Sequence, residues 1–235
     1  MRTLDISTRL LSEVVWKRLL ESAAHRLLEK RQDFFQLMAS LETLRQRADY
    51  ATGSITTASA WALYCLAHYF APQRMLEVGT FIGKSALALA LGADDAHSGV
   101  ELHTCDMSNA IDLPGVSKCR IQQYPRMSST AMLTGLAAGT PSGRFDLLNV
   151  DGRLQTEDFS LLHRLCGPEL VIALDDFEGV EKGVANLVNM RNSNFLASHL
   201  LIYPCAEPLL QKFGFADHST VALLIPQAAL RLTTQ

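Results

Sequence analysis

The chain has 235 residues, of which 48% are hydrophobic and 19% are charged, and its formal net charge is -3. This composition excludes a disordered chain, and the lack of excess positive charge argues against a nucleic-acid partner. Five scattered cysteines without a CxxC pair exclude a zinc ribbon and a disulfide framework, and they fit a cytoplasmic location. No apolar run is long enough to cross a bilayer, so we expect no membrane partner. The length predicts one domain with an appendage.

The first fifty residues contain neither glycine nor proline, the two residues that most often interrupt helices. Apolar residues recur there at three- and four-residue steps, from Leu10 to Leu28 and again from Phe34 to Leu44. That spacing predicts amphipathic helices. We therefore expect a helical extension over residues 1–50 and a second unit over 51–235. The extension either packs on the core, which such stripes usually do, or forms a lid or a homodimer contact.

After Gly53, short apolar runs alternate with helical stretches. The expected strands are Arg74–Val78, Val100–Cys105, Lys118–Gln122, Phe145–Val150, Leu170–Leu174, Leu200–Tyr203 and Thr220–Ile225. The expected helices are Thr57–Phe70, Gly83–Leu91, Phe159–Leu165 and Glu181–Met190. This order predicts an α/β fold: a Rossmann-like, doubly wound, mostly parallel sheet of seven strands. No long helix separates the last two strands, so the last strand is expected to be antiparallel.

The first strand ends in a glycine turn, in the sequence LEVGTFIGKSALALA. A dinucleotide-binding loop would need glycine at the position of Phe81, and a Walker A loop would need four residues between its glycines. Gly79 and Gly83 enclose only three. A third pattern, acidic-x-Gly-x-x-x-Gly, matches Glu77, Gly79 and Gly83. Glycines in such a turn let a ligand approach the backbone closely.

With this turn the sequence resembles the class I S-adenosylmethionine-dependent methyltransferases. The resemblance implies S-adenosylmethionine as the cofactor, with Glu77 facing its amino group directly or through water. It also implies that the turn and the segment before it contact the cofactor, through Gly53, Ser54, Gly79, Thr80, Phe81, Gly83 and Ser85.

Acidic and hydroxyl residues follow the next two strands. Asp106 ends the second strand, where a carboxylate can accept both hydrogen bonds of a ribose diol, although a turn-capping aspartate would look the same. The resemblance places Asp106 on the ribose, and it places Ser128 or Ser129 near adenine.

Three carboxylates follow the fourth and fifth strands, in VDG and LDDF. Asp151, Asp175 and Asp176 should meet at the same sheet edge, where their repulsion calls for a cation such as Mg²⁺. Here the sequence, over about residues 50–226, resembles the catechol and caffeoyl-CoA O-methyltransferase group. The metal-dependent members take three ligands from these strand ends, usually Asp, Asp and Asn, and many broad relatives use no metal. The plant branch has a lysine after the first ligand, where this chain has Arg153.

The resemblance implies methyl transfer to a small hydroxylated acceptor. Asp151 and Asp175 would be catalytic in a metal-assisted route, with Asp151 also near the cofactor. His163 could act as a base without metal, but its leucine neighbours favour a packing role. Two alternatives stay open: a non-catalytic cofactor-binding or partner protein on the same fold, and a nicotinamide-dependent oxidoreductase.

Overall fold

A computed structural model describes residues 2–49, 53–139, 143–196 and 198–231. Nine α-helices lie within these ranges, and a 3-10 helix, Glu42–Arg47, follows the second of them. The α-helices are α1 (Arg2–Ser22), α2 (Ala24–Leu41), α3 (Thr57–Phe70), α4 (Lys84–Ala96), α5 (Ser129–Ala138), α6 (Thr156–Leu165), α7 (Lys182–Asn192), α8 (Glu207–Lys212) and α9 (Gln227–Arg231). In the described part of the chain, no helix is both long and apolar enough to cross a membrane.

Seven strands form one sheet in the order β3-β2-β1-β4-β5-β7-β6. The strands are β1 (Arg74–Val78), β2 (Glu101–Asp106), β3 (Arg120–Pro125), β4 (Phe145–Val150), β5 (Cys166–Leu174), β6 (His199–Ile202) and β7 (Ala222–Pro226). Only β7 runs antiparallel to its neighbours, β5 and β6. The predicted fold class, with its antiparallel last strand, is therefore confirmed.

Several elements differ from the sequence-based expectation. Helices α5, α8 and α9 were not predicted. Some bounds also differ: β5 begins at Cys166 instead of Leu170, and α4 ends at Ala96 instead of Leu91. The early part of β5 contains Gly167 and Pro168, and its pairing with β4 shifts register there, so it lacks a regular strand pattern.

Apolar side chains alternate between the two faces of the sheet, as expected for a sheet covered on both sides. Met75 of β1 packs with α3 and α4, whereas Leu76 and Val78 pack toward α5, α6 and α7. The amino-terminal helices join the first of these cores through buried residues such as Trp16 and Met38. The indole Nε1 of Trp16 also donates to the carbonyl of Tyr203, at 2.7 Å.

Candidate functional site

A cleft of about 260 Å³ opens at the carboxyl ends of β1, β2 and β4. In open α/β sheets this edge is where ligands bind, close to the point at which the strand order reverses. The cleft is lined by Gly53, Val78, Gly79, Phe81, Cys105, Asp106, Met107, Met127, Ser128, Ser129, Asp151, Gly152, Arg153, Gln155 and Lys182. The structure therefore brings six of the predicted cofactor residues to one cleft: Gly53, Gly79, Phe81, Asp106, Ser128 and Asp151.

Gly79 lies where β1 and β4 meet at the floor of the cleft. Its φ is +106°, which L side chains rarely adopt, and a Cβ built on it would lie 2.9 Å from the carbonyl carbon of Asp151. The amide of Asp151 donates to the carbonyl of Val78, at 2.8 Å, so the two segments are held together. A side chain at position 79 would thus be strained, and it would separate the two walls of the cleft.

Asp106 lines the cleft at the end of β2, and its carboxylate accepts from two backbone amides. Oδ2 accepts from the amide of Phe81 at 2.7 Å, and Oδ1 accepts from the amide of Ser108 at 2.8 Å. A carboxylate oxygen has more than one acceptor site, so it can accept from a hydroxyl as well as from an amide. The arrangement fits recognition of a vicinal diol.

Glu77 lies behind the cleft rather than in its lining. It is fully buried on the α4 side of the sheet, where Thr104 Oγ1 donates to it at 2.6 Å and Asn149 Nδ2 at 3.0 Å. Burial raises the pKa of Glu77, although hydrogen bonds from Ser85, Thr104 and Asn149 partly lower it. Glu77 therefore organises three neighbouring strands and the start of α4.

The rest of the predicted cofactor residues support the turn. Thr80 Oγ1 forms a hydrogen bond with the hydroxyl of Thr104 at 2.5 Å, and Ser85 forms one with Glu77. Gly83 begins α4 at φ +79° and donates its amide to the carbonyl of Thr80, at 2.7 Å. Ser54 and these residues lie outside the cleft lining.

The amino end of α5 borders the cleft through two serines. Ser128 caps the helix, and its Oγ accepts from the amide of Ala131 at 3.3 Å. Ser129 donates instead to the buried carboxylate of Asp158, at 2.6 Å. Both serines therefore line the cleft, with Ser128 as the helix cap and Ser129 bound to Asp158.

A lysine that the sequence argument missed lies among the carboxylates. Lys182 Nζ donates to Asp151 Oδ1 at 2.5 Å, to the Asp151 carbonyl at 2.6 Å and to Asp176 Oδ2 at 3.0 Å. Asp175 is directed elsewhere, since its Oδ1 accepts from Thr220 Oγ1 at 2.7 Å. The signal that could have found Lys182 is its place in the first turn of α7, where a helix dipole disfavours a cation.

The charges in this group perturb one another. Burial and the charge of Asp175 raise the pKa of Asp151 to about 8, although the charge and hydrogen bond of Lys182 partly lower it. Burial also raises the pKa of Asp175. Burial alone would lower the pKa of Lys182, but Asp151 and Asp176 raise it, so the lysine stays charged.

These residues do not fit a divalent metal. The three predicted ligands Asp151, Asp175 and Asp176 do not converge on one point, because Asp175 bonds Thr220 and Lys182 lies between the other two. Within the described ranges, no group of three or more His, Cys, Asp or Glu side chains could hold a metal ion.

The remaining candidate base, His163, lies outside the cleft lining. Its ring packs edge-on against Phe195, with the two centroids 4.9 Å apart. The packing role that the sequence favoured agrees with this contact.

Solved structures share this architecture at low sequence identity. The O-methyltransferase from Bacillus cereus in complex with SAH aligns with a TM-score of 0.57 and 15% identity, over 81% of this chain and 90% of that one. The chain has the fold of the class I O-methyltransferases. The O-methyltransferase TomG from Streptomyces achromogenes, involved in tomaymycin synthesis and bound to SAM, aligns with a TM-score of 0.56 and 18% identity, over 81% of this chain and 89% of that one. The cofactor-bound protein Rv0187 from MTB aligns with a TM-score of 0.55 and 18% identity, over 82% of this chain and 90% of that one. No family model and no curated protein sequence matches the chain.

Proposed function

We propose that this protein is an S-adenosylmethionine-dependent methyltransferase that methylates a hydroxyl group of a small molecule. The observation that carries the proposal is that Gly79 and Asp106 line one cleft. Gly79 has no room for a Cβ beside Asp151, and the Asp106 carboxylate lines the same cleft and accepts from the amides of Phe81 and Ser108. A ligand with a diol and a flat base fits this chemistry, and the solved structures of the same fold bind SAM or SAH.

The residues of the cleft would divide the work of holding the cofactor. Asp106 would accept the ribose hydroxyls, and Ser128 would border the adenine. The backbone at Gly79 would admit the methionine part. When bound, S-adenosylmethionine supplies a methyl group on a sulfonium, which is attacked in line by a nucleophile.

The acceptor hydroxyl needs a group that takes its proton. Two carboxylates line the cleft, and with Asp106 assigned to the ribose, Asp151 is the one left for this role. Lys182 donates to Asp151 Oδ1, so we assign Oδ2 as the proton acceptor. With a pKa of about 8, raised by burial and by Asp175, Asp151 matches a base that works near neutral pH. Asp175 would act through Asp151, as a positioning residue.

Calorimetric titration with S-adenosylhomocysteine tests the cofactor assignment, and NAD serves as the competing ligand. We expect one S-adenosylhomocysteine per chain and no binding of NAD. Asp106→Asn should weaken binding by at least about tenfold, since hydrogen bonds to charged groups contribute about 1.5–3 kcal/mol each. The exposed Asp112→Asn is the matched control and should bind as the wild type does.

Turnover is tested by the release of S-adenosylhomocysteine over a panel of small phenols and alcohols. Methylation of an acceptor oxygen supports the proposal, and loss of that activity in Asp151→Asn supports the assigned base. Binding of S-adenosylhomocysteine without turnover over the whole panel would favour the non-catalytic alternative. Binding of NAD alone would overturn the proposal.

A further inference from the structure

The Lys182 ammonium lies in a shell of oxygen atoms. Its three donors match three acceptors: the Oδ1 and carbonyl oxygen of Asp151 and the Oδ2 of Asp176, at 2.5, 2.6 and 3.0 Å. Carboxylate and carbonyl oxygens are also the ligands of hard divalent cations, at about 2.3–2.6 Å for Ca²⁺. The lysine therefore lies at the point that a small cation would take between these two aspartates.

Helix α7 is built so that the lysine cannot easily leave this position. A Cβ on Gly183 would lie 2.3 Å from the carbonyl of Asp175, so the glycine lets the helix start press against the end of β5. One turn later, Asn186 Nδ2 donates to the carbonyl of Gly152 at 2.8 Å, and Asn186 Oδ1 accepts from the amide of Leu154 at 3.0 Å. Lys182 and Asn186 thus fasten one face of α7 to the segment after β4.

The charge at this position also has an electrostatic reason. A cation in the first turn of a helix is disfavoured by the helix dipole, and a half-buried ammonium is costly unless it is paired. The carboxylates of Asp151 and Asp176 supply that pairing, and without a cation they would repel one another. The lysine and the acidic group therefore compensate each other.

We propose that Lys182 is the resident cation of this site and takes the place of a divalent metal, so that cofactor binding and methyl transfer need no metal ion. This inference deepens the proposed function and rests on it. Lys182 positions Asp151 through its Oδ1 and carbonyl, and it lowers the repulsion that an acceptor oxyanion would meet in an acidic cleft.

Mn²⁺ binding, followed by electron paramagnetic resonance and by calorimetry, tests the position of the cation without any turnover. The wild type should bind no stoichiometric Mn²⁺. Lys182→Met removes the charge with similar length and should gain one Mn²⁺ per chain, at least about tenfold tighter than the wild type, since ligand charge sets such affinities. The double variant with Asp176→Asn should lose the gained ion. The exposed Lys212→Met is the matched control and should gain nothing.

Two results would overturn the proposal. One is a stoichiometric Mn²⁺ in the wild type that Asp176→Asn removes, and the other is a folded Lys182→Met variant that gains no ion. If Lys182→Met does not fold, Lys182→Gln and the wild-type titration still decide the matter. S-adenosylhomocysteine binding, measured with EDTA and with Mg²⁺, should be equal. Its absence under both conditions would count against the proposed function alone, and dependence on Mg²⁺ would count against the role of Lys182.

Discussion

Replacement of Gly79 by alanine tests the construction of the cleft with a single methyl group. The new Cβ would lie 2.9 Å from the carbonyl carbon of Asp151, 3.1 Å from its carbonyl oxygen and 3.2 Å from its Cβ. Two of these three atoms are backbone, and they are held by the bond from the Asp151 amide to Val78. The substitution therefore has to bend the backbone or separate β1 from the segment after β4.

The expected loss of stability has three parts. A strained φ costs about 1–3 kcal/mol, and overpacking against backbone costs about 1–3 kcal/mol. The substitution also makes the unfolded chain less flexible, which offsets about 0.4–1 kcal/mol, so the net loss is about 1–5.6 kcal/mol. For a chain of this length the loss corresponds to a fall in Tm of about 2–22 °C.

Gly99→Ala supplies the matched control for the conformational part. Gly99 also has a positive φ, +81°, but nothing lies within 4 Å of a Cβ built there. Urea unfolding should give a loss of about 0.5–2 kcal/mol for this variant, and the excess at Gly79 measures the packing against Asp151. Binding of S-adenosylhomocysteine should weaken in Gly79→Ala and stay unchanged in Gly99→Ala.

Equal losses in the two alanine variants would refute the reasoning. They would mean that the backbone of Asp151 can move away from the new Cβ without loss of stability, so that contact with Asp151 does not constrain position 79. A Gly79→Ala variant of lower stability that binds S-adenosylhomocysteine normally would keep the packing argument and remove the link to the cofactor.

Three further predictions concern stability. Burial alone would raise the pKa of Glu101, but its ion pairs with arginines such as Arg74 lower that pKa below 4.5. The ionised carboxylate therefore stabilises the fold fully above pH 4.5, and this stabilisation is lost as the pH falls through the lowered pKa. Glu101→Gln should flatten the loss of Tm in acid. Asp158 is fully buried and accepts bonds from α5 and from the start of α6, so Asp158→Ala should cost about 2–5 kcal/mol in urea unfolding. Trp16→Ala should cost about 3–5 kcal/mol if α1 is docked as described, and the exposed Leu10→Ala under about 0.5 kcal/mol.

Much of the sheet could be predicted because its signals are local. The run RMLEV is a short buried strand between Pro72 and a glycine turn, and its predicted bounds agree with β1. Helix α5 was missed because its apolar residues do not follow a clear helical stripe, and its start depends on Ser128 as a cap. Such a helix is specified by its contacts with α6 more than by its own pattern.

The candidate site was predictable only where the chain order determines the geometry. Gly79, Asp106 and Asp151 each follow a parallel strand, so topology alone brings them to one edge. Lys182 lies 31 positions beyond Asp151 and on a later helix, and only packing brings the two together. Glu77 lies at the strand end as predicted, but its side chain faces inward, toward Thr104, and not into the cleft.

The bond between Lys84 and the amino-terminal region has a consequence for how the chain can be divided. This ammonium lies one residue after Gly83, is only 7% exposed, and donates to Glu42 Oε1 at 2.6 Å and to the carbonyl of Ile55 at 3.0 Å. A shortened chain beginning after the 3-10 helix would leave this charge buried without its carboxylate, directly beside the glycine turn. Chimeras that exchange the amino-terminal helices with those of another protein must therefore carry a counter-ion for Lys84, because this lysine directly follows the glycine turn and is paired with Glu42.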